Sequence, residues 1–314
     1  MINEFYDFIV IGAGAAGLTA AQYGARSGLN TLLLDSGSGG GQALNIFSLE
    51  NYPGFYPSVQ GTTFIQNMKS QAESFGAVIL RATVASIDKI KNTFVLETDK
   101  GKFSSYTVLI ATGAEHKKLG IPGEDKFSGK GVSYCATCDG PFFRNKEVIV
   151  AGGGDSALEE AFYLSSLAKN VTLVHRRSDF RAQKAIQQKI KKNSKIQVKM
   201  NKIIKEIKGS TKVESVILKD TLTQAEEEFF CDGVFIFIGM NPRTELVNML
   251  RKDENGCLIT NYKMETSIPG LYAAGDVRAK PFRQLITAAS DGAIAAHQAQ
   301  EYVALIKNSK STHL

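Results

Sequence analysis

The sequence predicts an α/β protein in which one strand, glycine turn, helix and strand unit occurs twice. Three observations carry that expectation. A short apolar strand runs into Gly12-Ala13-Gly14-Ala15-Ala16-Gly17, and the pattern returns as Gly152-Gly153-Gly154-Asp155-Ser156-Ala157. Each copy continues through a helix into a second apolar strand. Each is followed, further on, by another apolar strand that ends in glycine, Val108–Gly113 and Val234–Gly239. Short apolar runs bounded by glycine mark strands covered on both faces of a parallel sheet. The fold class is therefore two Rossmann-like dinucleotide-binding domains, the second inserted into the first. The expected boundaries are 1–116 and 245–314 for the first domain and 117–244 for the second.

In the first copy, residues 5–11 read as a buried strand and Leu18 to Ser27 as a helix ending near Gly28. Gly12 permits a tight turn, Gly14 lets the backbone approach a pyrophosphate, and Gly17 lets helix and strand pack closely. The second strand, Thr31–Leu34, ends in Asp35, 18 residues after Gly17. A carboxylate is needed about there to accept from ribose hydroxyls. Gly12, Gly14, Ala15 and Asp35 are thus candidate cofactor contacts. Residues 36–61 are rich in glycine and polar residues, and a loop there is placed to close over a large cofactor, with Gln42 and Asn51 as its polar groups. A helix is expected over 62–75 and a strand-rich meander over 78–99, where Val84 is taken as a further contact. Ala111, Thr112 and Gly113 close the next buried strand and join the same set.

In the second copy, Glu147–Ala151 is a strand, a helix runs to about Lys169, and Val171–Val174 is the second strand. Gly154, Asp155 and Ser156 occupy the helix start. The position matching Asp35 is His175, followed by Arg176, Arg177 and Arg181. A carboxylate repels a 2′-phosphate, whereas guanidinium forks bind one by charge-assisted hydrogen bonds. The second nucleotide is therefore expected to be NADP rather than NAD. The tail adds a strand, Gly270–Ala274, that ends in Gly275-Asp276, then Arg283 and Gln284, then a helix from about Leu285 to Ile306. This segment is expected to return to the first domain, with Asp276 reaching its cofactor.

Between the copies stands Cys135-Ala136-Thr137-Cys138-Asp139. Two intervening residues let the sulfurs close a small ring, the arrangement of a dithiol that reduces disulfides by thiolate attack. A neighbouring carboxylate disfavours a thiolate, so Asp139 suits proton transfer better than activation. The alternative, half a zinc site, requires two more ligands. Cys231, Cys257 and the four histidines, 116, 175, 297 and 313, form no local cluster. Cys231 and Cys257 read as small buried hydrophobes.

The chain has 314 residues, 43% hydrophobic and 22% charged, enough for two domains of an ordinary soluble protein. No run of 18 apolar residues appears, and the acidic start Met1–Asp7 does not resemble a signal peptide. The expectation is a cytoplasmic protein with no membrane partner. The net charge is +6, and lysine is densest from Lys184 to Lys208. No aromatic residue interrupts that stretch, so it lacks stacking platforms, and no nucleic-acid partner is expected. Anionic cofactors and a solvated surface account for the charge.

These motifs, with Gly40-Gly41-Gln42 and Glu50-Asn51-Tyr52-Pro53-Gly54, occur in the order seen in bacterial-type, low-molecular-weight thioredoxin reductases, which the whole chain resembles. The resemblance implies FAD in the first domain, NADPH in the second, a homodimer, and thioredoxin as the protein substrate. It implies that Cys138 lies nearer the flavin, that Cys135 attacks the substrate disulfide, and that Asp139 gives and takes the proton. Asp276 would hold the FAD ribityl chain, with Arg283 and Gln284 near the isoalloxazine and phosphates. Ala15 stands where many relatives carry proline. The residues alone leave open another protein or a small-molecule disulfide as acceptor.

Overall fold

The computed structural model describes residues 4–46, 49 and 51–311. Met1–Asn3 of the Met1–Asp7 start, Glu50 of the Glu50–Gly54 motif, and His313 lie outside the described residues. In chain order the first elements are β1 (Glu4–Ile11), α1 (Ala15–Arg26), β2 (Thr31–Asp35), α2 (Gly61–Ser74), β3 (Val78–Arg81), β4 (Val84–Ile90), β5 (Thr93–Thr98), β6 (Gly101–Ile110) and β7 (Ala114–His116). Next come β8 (Val132–Ser133), α3 (Ala136–Asp139), β9 (Glu147–Gly152), α4 (Asp155–Ser165), β10 (Asn170–His175), α5 (Lys184–Lys192) and β11 (Ile196–Met200). The chain ends with β12 (Lys202–Lys208), β13 (Ser215–Asp220), β14 (Glu226–Phe230), β15 (Gly233–Phe237), β16 (Met240–Pro242), β17 (Leu271–Ala273) and α6 (Leu285–Ser311).

Two compact units result, one from residues 1–115 with 241–314 and one from 116–240. In the first, the sheet order is β3-β2-β1-β6, parallel throughout. Beyond β6 the sheet forks. The start of β6 pairs antiparallel with β5, which pairs with β4, while its end pairs in parallel with β17. Alternation along β1 explains the two-sided core. Phe8 and Val10 pack in a cluster with Leu18, Phe64 and Ala295 of the helices. Ile9 and Ile11 pack in another with Phe94, Leu96 and Val277.

The second unit repeats the plan. Its sheet runs β11-β10-β9-β15-β8, all parallel. Val148 and Val150 meet α4 and α5 residues such as Leu158 and Ile190. Ile149 and Ala151 meet the β12–β14 sheet through Ile204, Val216 and Leu218.

The α/β class and the insertion of one dinucleotide-type unit in another agree with the sequence expectation. Details differ. β6 begins at Gly101, well before the expected strand at Val108. Its early half is polar, but the hydroxyls are satisfied internally: Ser105 Oγ donates to the Thr107 carbonyl at 2.9 Å and Thr107 Oγ1 to the Asp7 carbonyl at 2.8 Å. The basic stretch 184–208 splits into α5, β11 and β12. Four of its lysines form ion pairs with neighbouring strands: Lys199 with Glu227, Lys202 with Asp220, Lys205 with Glu226 and Lys208 with Glu228. Among the described residues, no helix is long and apolar enough to cross a membrane.

Candidate redox site and nucleotide turns

The redox segment is set by a short strand and one helical turn. β8 pairs with β15, Val132 opposite Val234 and Ser133 opposite Phe235. The chain stays extended through Cys135 (φ −143°, ψ 104°), which caps α3. Its Sγ accepts from the Cys138 N–H at 3.2 Å. A single turn brings residues three apart within bridging range, and Cys135 and Cys138 form a disulfide with Cα atoms 5.3 Å apart. Asp139 closes the turn. Its Oδ2 accepts from Ser133 Oγ at 2.6 Å. Burial pushes the Asp139 carboxyl up from its ordinary value, and the Ser133 hydrogen bond opposes that with a smaller effect.

Upstream, the same segment is anchored by Glu124, which is 2% exposed. Its carboxylate accepts from the N–H groups of Leu119 at 3.0 Å and Gly120 at 2.7 Å, and from Tyr134 Oη at 2.7 Å. Burial, then the bond to Glu124, raises the Tyr134 phenol above its ordinary value, so it acts as a donor. The His116 ring stacks on Tyr134 at 5.4 Å.

The two glycine turns share a geometry. A Cβ on Gly12 would collide with the Ala111 carbonyl, and one on Gly152 with the Phe237 carbonyl. Gly14 and Gly154 are the N-caps of α1 and α4, neither helix start has a side-chain cap, and nothing lies within 4 Å of a Cβ at either glycine. Ala15 is buried at the start of α1. Asp35, at the end of β2, accepts from Ala13 N–H at 2.7 Å and Gly37 N–H at 2.8 Å. Asp155 Oδ1 accepts from Gln183 N–H at 2.8 Å, while Ser156 is exposed. His175, unlike the arginines that follow it, is buried. It is 6% exposed, its ring fills the space where a Gly153 side chain would stand, and it bonds the Asp179 carbonyl at 3.1 Å. Burial pushes its pKa down, so the ring is neutral near pH 7. Arg176, Arg177 and Arg181 are exposed, and Arg181 N–H donates to the Gly153 carbonyl at 2.9 Å.

Other positions in the first unit meet one another. Gln42 donates to the Ala114 carbonyl. Asn51 Nδ2 donates to Gln284 Oε1 at 2.9 Å. Ala111 N–H donates to the Ile11 carbonyl at 2.8 Å, Thr112 Oγ1 donates to the Arg243 carbonyl at 2.6 Å, and Gly113 accepts from Arg243 N–H at 3.0 Å. Val84 opens β4 and is buried in the core. Arg283 Nη2 lies 3.4 Å from Cys257 Sγ, while its Nε is buried without a partner.

Sequence reasoning missed the charge network behind Gly275-Asp276. Lys280, with a side chain 4% exposed, lies 3.3 Å from Asp276 Oδ1 and 3.2 Å from Asp291 Oδ2. Asp291 also pairs with Arg278 at 3.2 Å and accepts from the Gly275 N–H at 3.1 Å. Despite the nearby ammonium, Asp276 Oδ1 is buried with no hydrogen bond of acceptable geometry. Lysine and aspartate in a loop and a helix face read as solvated, so no sequence signal marks this cluster. Ser133 and Glu124 were missed as well. The two remaining cysteines are buried, as expected; burial pushes the Cys231 thiol up to about 12 and raises the Cys257 thiol, against a lowering from Arg283.

A family model described as pyridine nucleotide-disulphide oxidoreductase matches residues 6–296. The thioredoxin reductase of Treponema pallidum (strain Nichols) is 53% identical over 303 residues, spanning 96% of this chain and 99% of that one. That of Bacillus subtilis (strain 168) is 45% identical over 312 residues, 99% and 98% of the two chains. The crystal structure of thioredoxin reductase from Streptococcus pyogenes MGAS5005 is 43% identical and covers 96% of this chain and 99% of its own, with a TM-score of 0.91. The chain belongs to the pyridine nucleotide-disulphide oxidoreductases and, within them, to the low-molecular-weight thioredoxin reductases.

Proposed function

We propose that this protein is an NADPH-dependent, FAD-containing disulfide reductase that passes electrons through Cys135–Cys138 to oxidised thioredoxin. The observation that carries the reading is the Cys135–Cys138 disulfide with the half-buried, hydrogen-bonded Asp139 on the same helical turn. The first compact unit, residues 1–115 with 241–314, is the FAD domain and the second, 116–240, the NADPH domain, against the expected bounds 1–116 with 245–314 and 117–244.

The residues present suit those groups. Gly14 and Gly154 leave open space at uncapped helix starts, where backbone N–H groups favour phosphates. Asp276 Oδ1, beside the Lys280 ammonium, and Arg283 Nε are a buried acceptor and a buried donor without hydrogen bonds, as suits a polar ligand in the first unit. The Asp35 carboxylate keeps acceptor capacity beyond its two backbone bonds for ribose hydroxyls. Gln42, Asn51, Val84, Ala111, Thr112, Gly113, Gly275 and Gln284 complete the first set. Arg176, Arg177 and Arg181 read the 2′-phosphate, with Asp155 and Ser156 at the turn; His175, neutral and packed on Gly153, supports that turn.

FAD held by these residues would, when bound and reduced by NADPH, supply the two electrons that open the disulfide. Cys135 as thiolate then attacks a sulfur of the substrate disulfide, forming a mixed disulfide and releasing one substrate thiolate. Cys138 attacks Cys135 Sγ, restoring the Cys135–Cys138 bond and releasing the second thiolate. Asp139 takes the proton that a thiol loses and returns one to a leaving thiolate. The protein acts in the cytoplasm as a homodimer.

The test is NADPH oxidation by purified yellow protein with oxidised thioredoxin, a glutaredoxin or a small-molecule disulfide as acceptor, beside NADH as donor. Turnover with NADPH and thioredoxin well above the other combinations is expected. Absence of bound flavin, or equal rates with all acceptors, would overturn the reading.

A further inference from the structure

Ser133 takes no part in the thiol–disulfide exchange, yet it touches two members of the redox turn. It is the last residue of β8 and is 4% exposed. Its hydroxyl has one hydrogen and two lone pairs. Three contacts compete for them: Asp139 Oδ2 at 2.6 Å, the Cys135 N–H at 3.1 Å and the Cys135 carbonyl at 3.2 Å. The hydrogen goes to the carboxylate, because a charge-assisted O–H···O bond is short and strong. The oxygen then accepts from the Cys135 N–H. One hydroxyl thus holds the acid and the first cysteine's backbone at fixed separation, and the β8–β15 pairing holds that hydroxyl.

We propose that Ser133 is a positioning residue: its hydroxyl fixes the Asp139 carboxyl against the turn that carries Cys135 and Cys138 and directs proton exchange to Asp139 Oδ1. This rests on the reading of Cys135–Cys138 as the redox centre. Packing alone does not require a hydroxyl here, since a buried position at a strand end accepts an apolar side chain, and burying a polar group is unfavourable unless it is bonded. The elements packed on α3 are α4 and the turn Gly140–Phe143. The turn has no titratable side chain, and the acids of α4 are Asp155, Glu159 and Glu160. None of them contributes to the shift of Asp139, which has burial and Ser133 as its two causes. Removing the hydroxyl leaves burial unopposed, so the Asp139 pKa rises. The carboxylate form, which accepts protons, then appears only at higher pH.

The test compares Ser133→Ala and Ser133→Thr with the parent holoenzyme in the pH profile of kcat. Ser133→Ala should move the limb governed by Asp139 upward by about one pH unit and so lower kcat about tenfold on the acid side of that limb, with KM for NADPH unchanged. Ser133→Thr keeps the hydroxyl and should restore the parent profile. An unmoved limb in Ser133→Ala, or equal shifts in both variants, overturns the proposal. Should the alanine variant not fold, Ser133→Val against Ser133→Thr repeats the comparison at constant shape, with the same outcomes. Iodoacetamide alkylation of the reduced pair against pH reads the thiolate, which the Asp139 carboxylate disfavours, without any acceptor. With that carboxyl protonated up to higher pH, alkylation should begin at lower pH in the hydroxyl-free variants, and no shift there counts against Ser133 alone. Loss of thioredoxin turnover in the parent protein, by contrast, counts against the proposed function.

Discussion

In the first unit the fifth strand of the sheet is β17, which pairs with β6 and leads directly into Gly275-Asp276. In the second unit the fifth strand is β8, which pairs with β15 and leads into Cys135–Asp139. The other strands match in order, β3-β2-β1-β6 against β11-β10-β9-β15. The fifth strand comes last in one unit and first in the other, so the sheet takes it from either end of the chain. The segments leaving the two fifth strands differ in chemistry. Asp276 faces a cluster of fixed charges, Lys280, Asp291 and Arg278. Asp139 meets only burial and the neutral hydroxyl of Ser133. A cation beside Asp139 would hold it ionised and unfit it for proton transfer. The same place in one architecture therefore carries a carboxylate fixed in a charge network in one unit and a carboxyl raised by burial beside a neutral hydroxyl in the other.

The comparison breaks first at the cysteines. Cys138→Ser should reduce thioredoxin turnover by at least about 10³-fold while NADPH still bleaches the bound flavin; retained turnover would place the chemistry elsewhere. At the matching place in the first unit, Asp291→Asn strips Lys280 and Arg278 of a buried partner. The expected loss is about 3 kcal/mol of stability, read as a lower urea midpoint together with easier flavin loss. A variant as stable as the parent would show that the charge network fixes nothing there. The difference between Asp35 and the arginines is sharpened by Arg176→Ala with Arg177→Ala. KM for NADPH should rise about 10- to 100-fold and KM for NADH barely change. Equal losses for both would mean that these arginines do not read the 2′-phosphate.

Much of the architecture was legible because glycine turns and apolar strands are local signals. Gly12–Gly17, Gly152–Ala157 and the Cys pair each declare themselves within about six residues. The illegible features join residues distant in sequence or depart from solvated expectation. Lys280 and Asp291 look like surface residues until the fold buries them together. Ser133 looks like a loop residue until β15 pairs beside it. His175 sits in a basic run yet turns inward, because the bare backbone of Gly153 leaves room for its ring. The ion pairs of Lys199, Lys205 and Lys208 with Glu226–Glu228 were readable in principle, since that acidic run is plain in the sequence, but the strand pairing that joins them is not local.

Burial of Cys231 and Cys257 makes the four thiols unequal toward reagents. Both have pKa values raised by burial, so neither supplies much thiolate near neutral pH. Electrophiles and peroxides meeting the reduced folded protein therefore fall on Cys135 and Cys138. Covalent inactivation should track the redox state of that pair: the disulfide form resists alkylating drugs, and enzyme in active turnover is the vulnerable species.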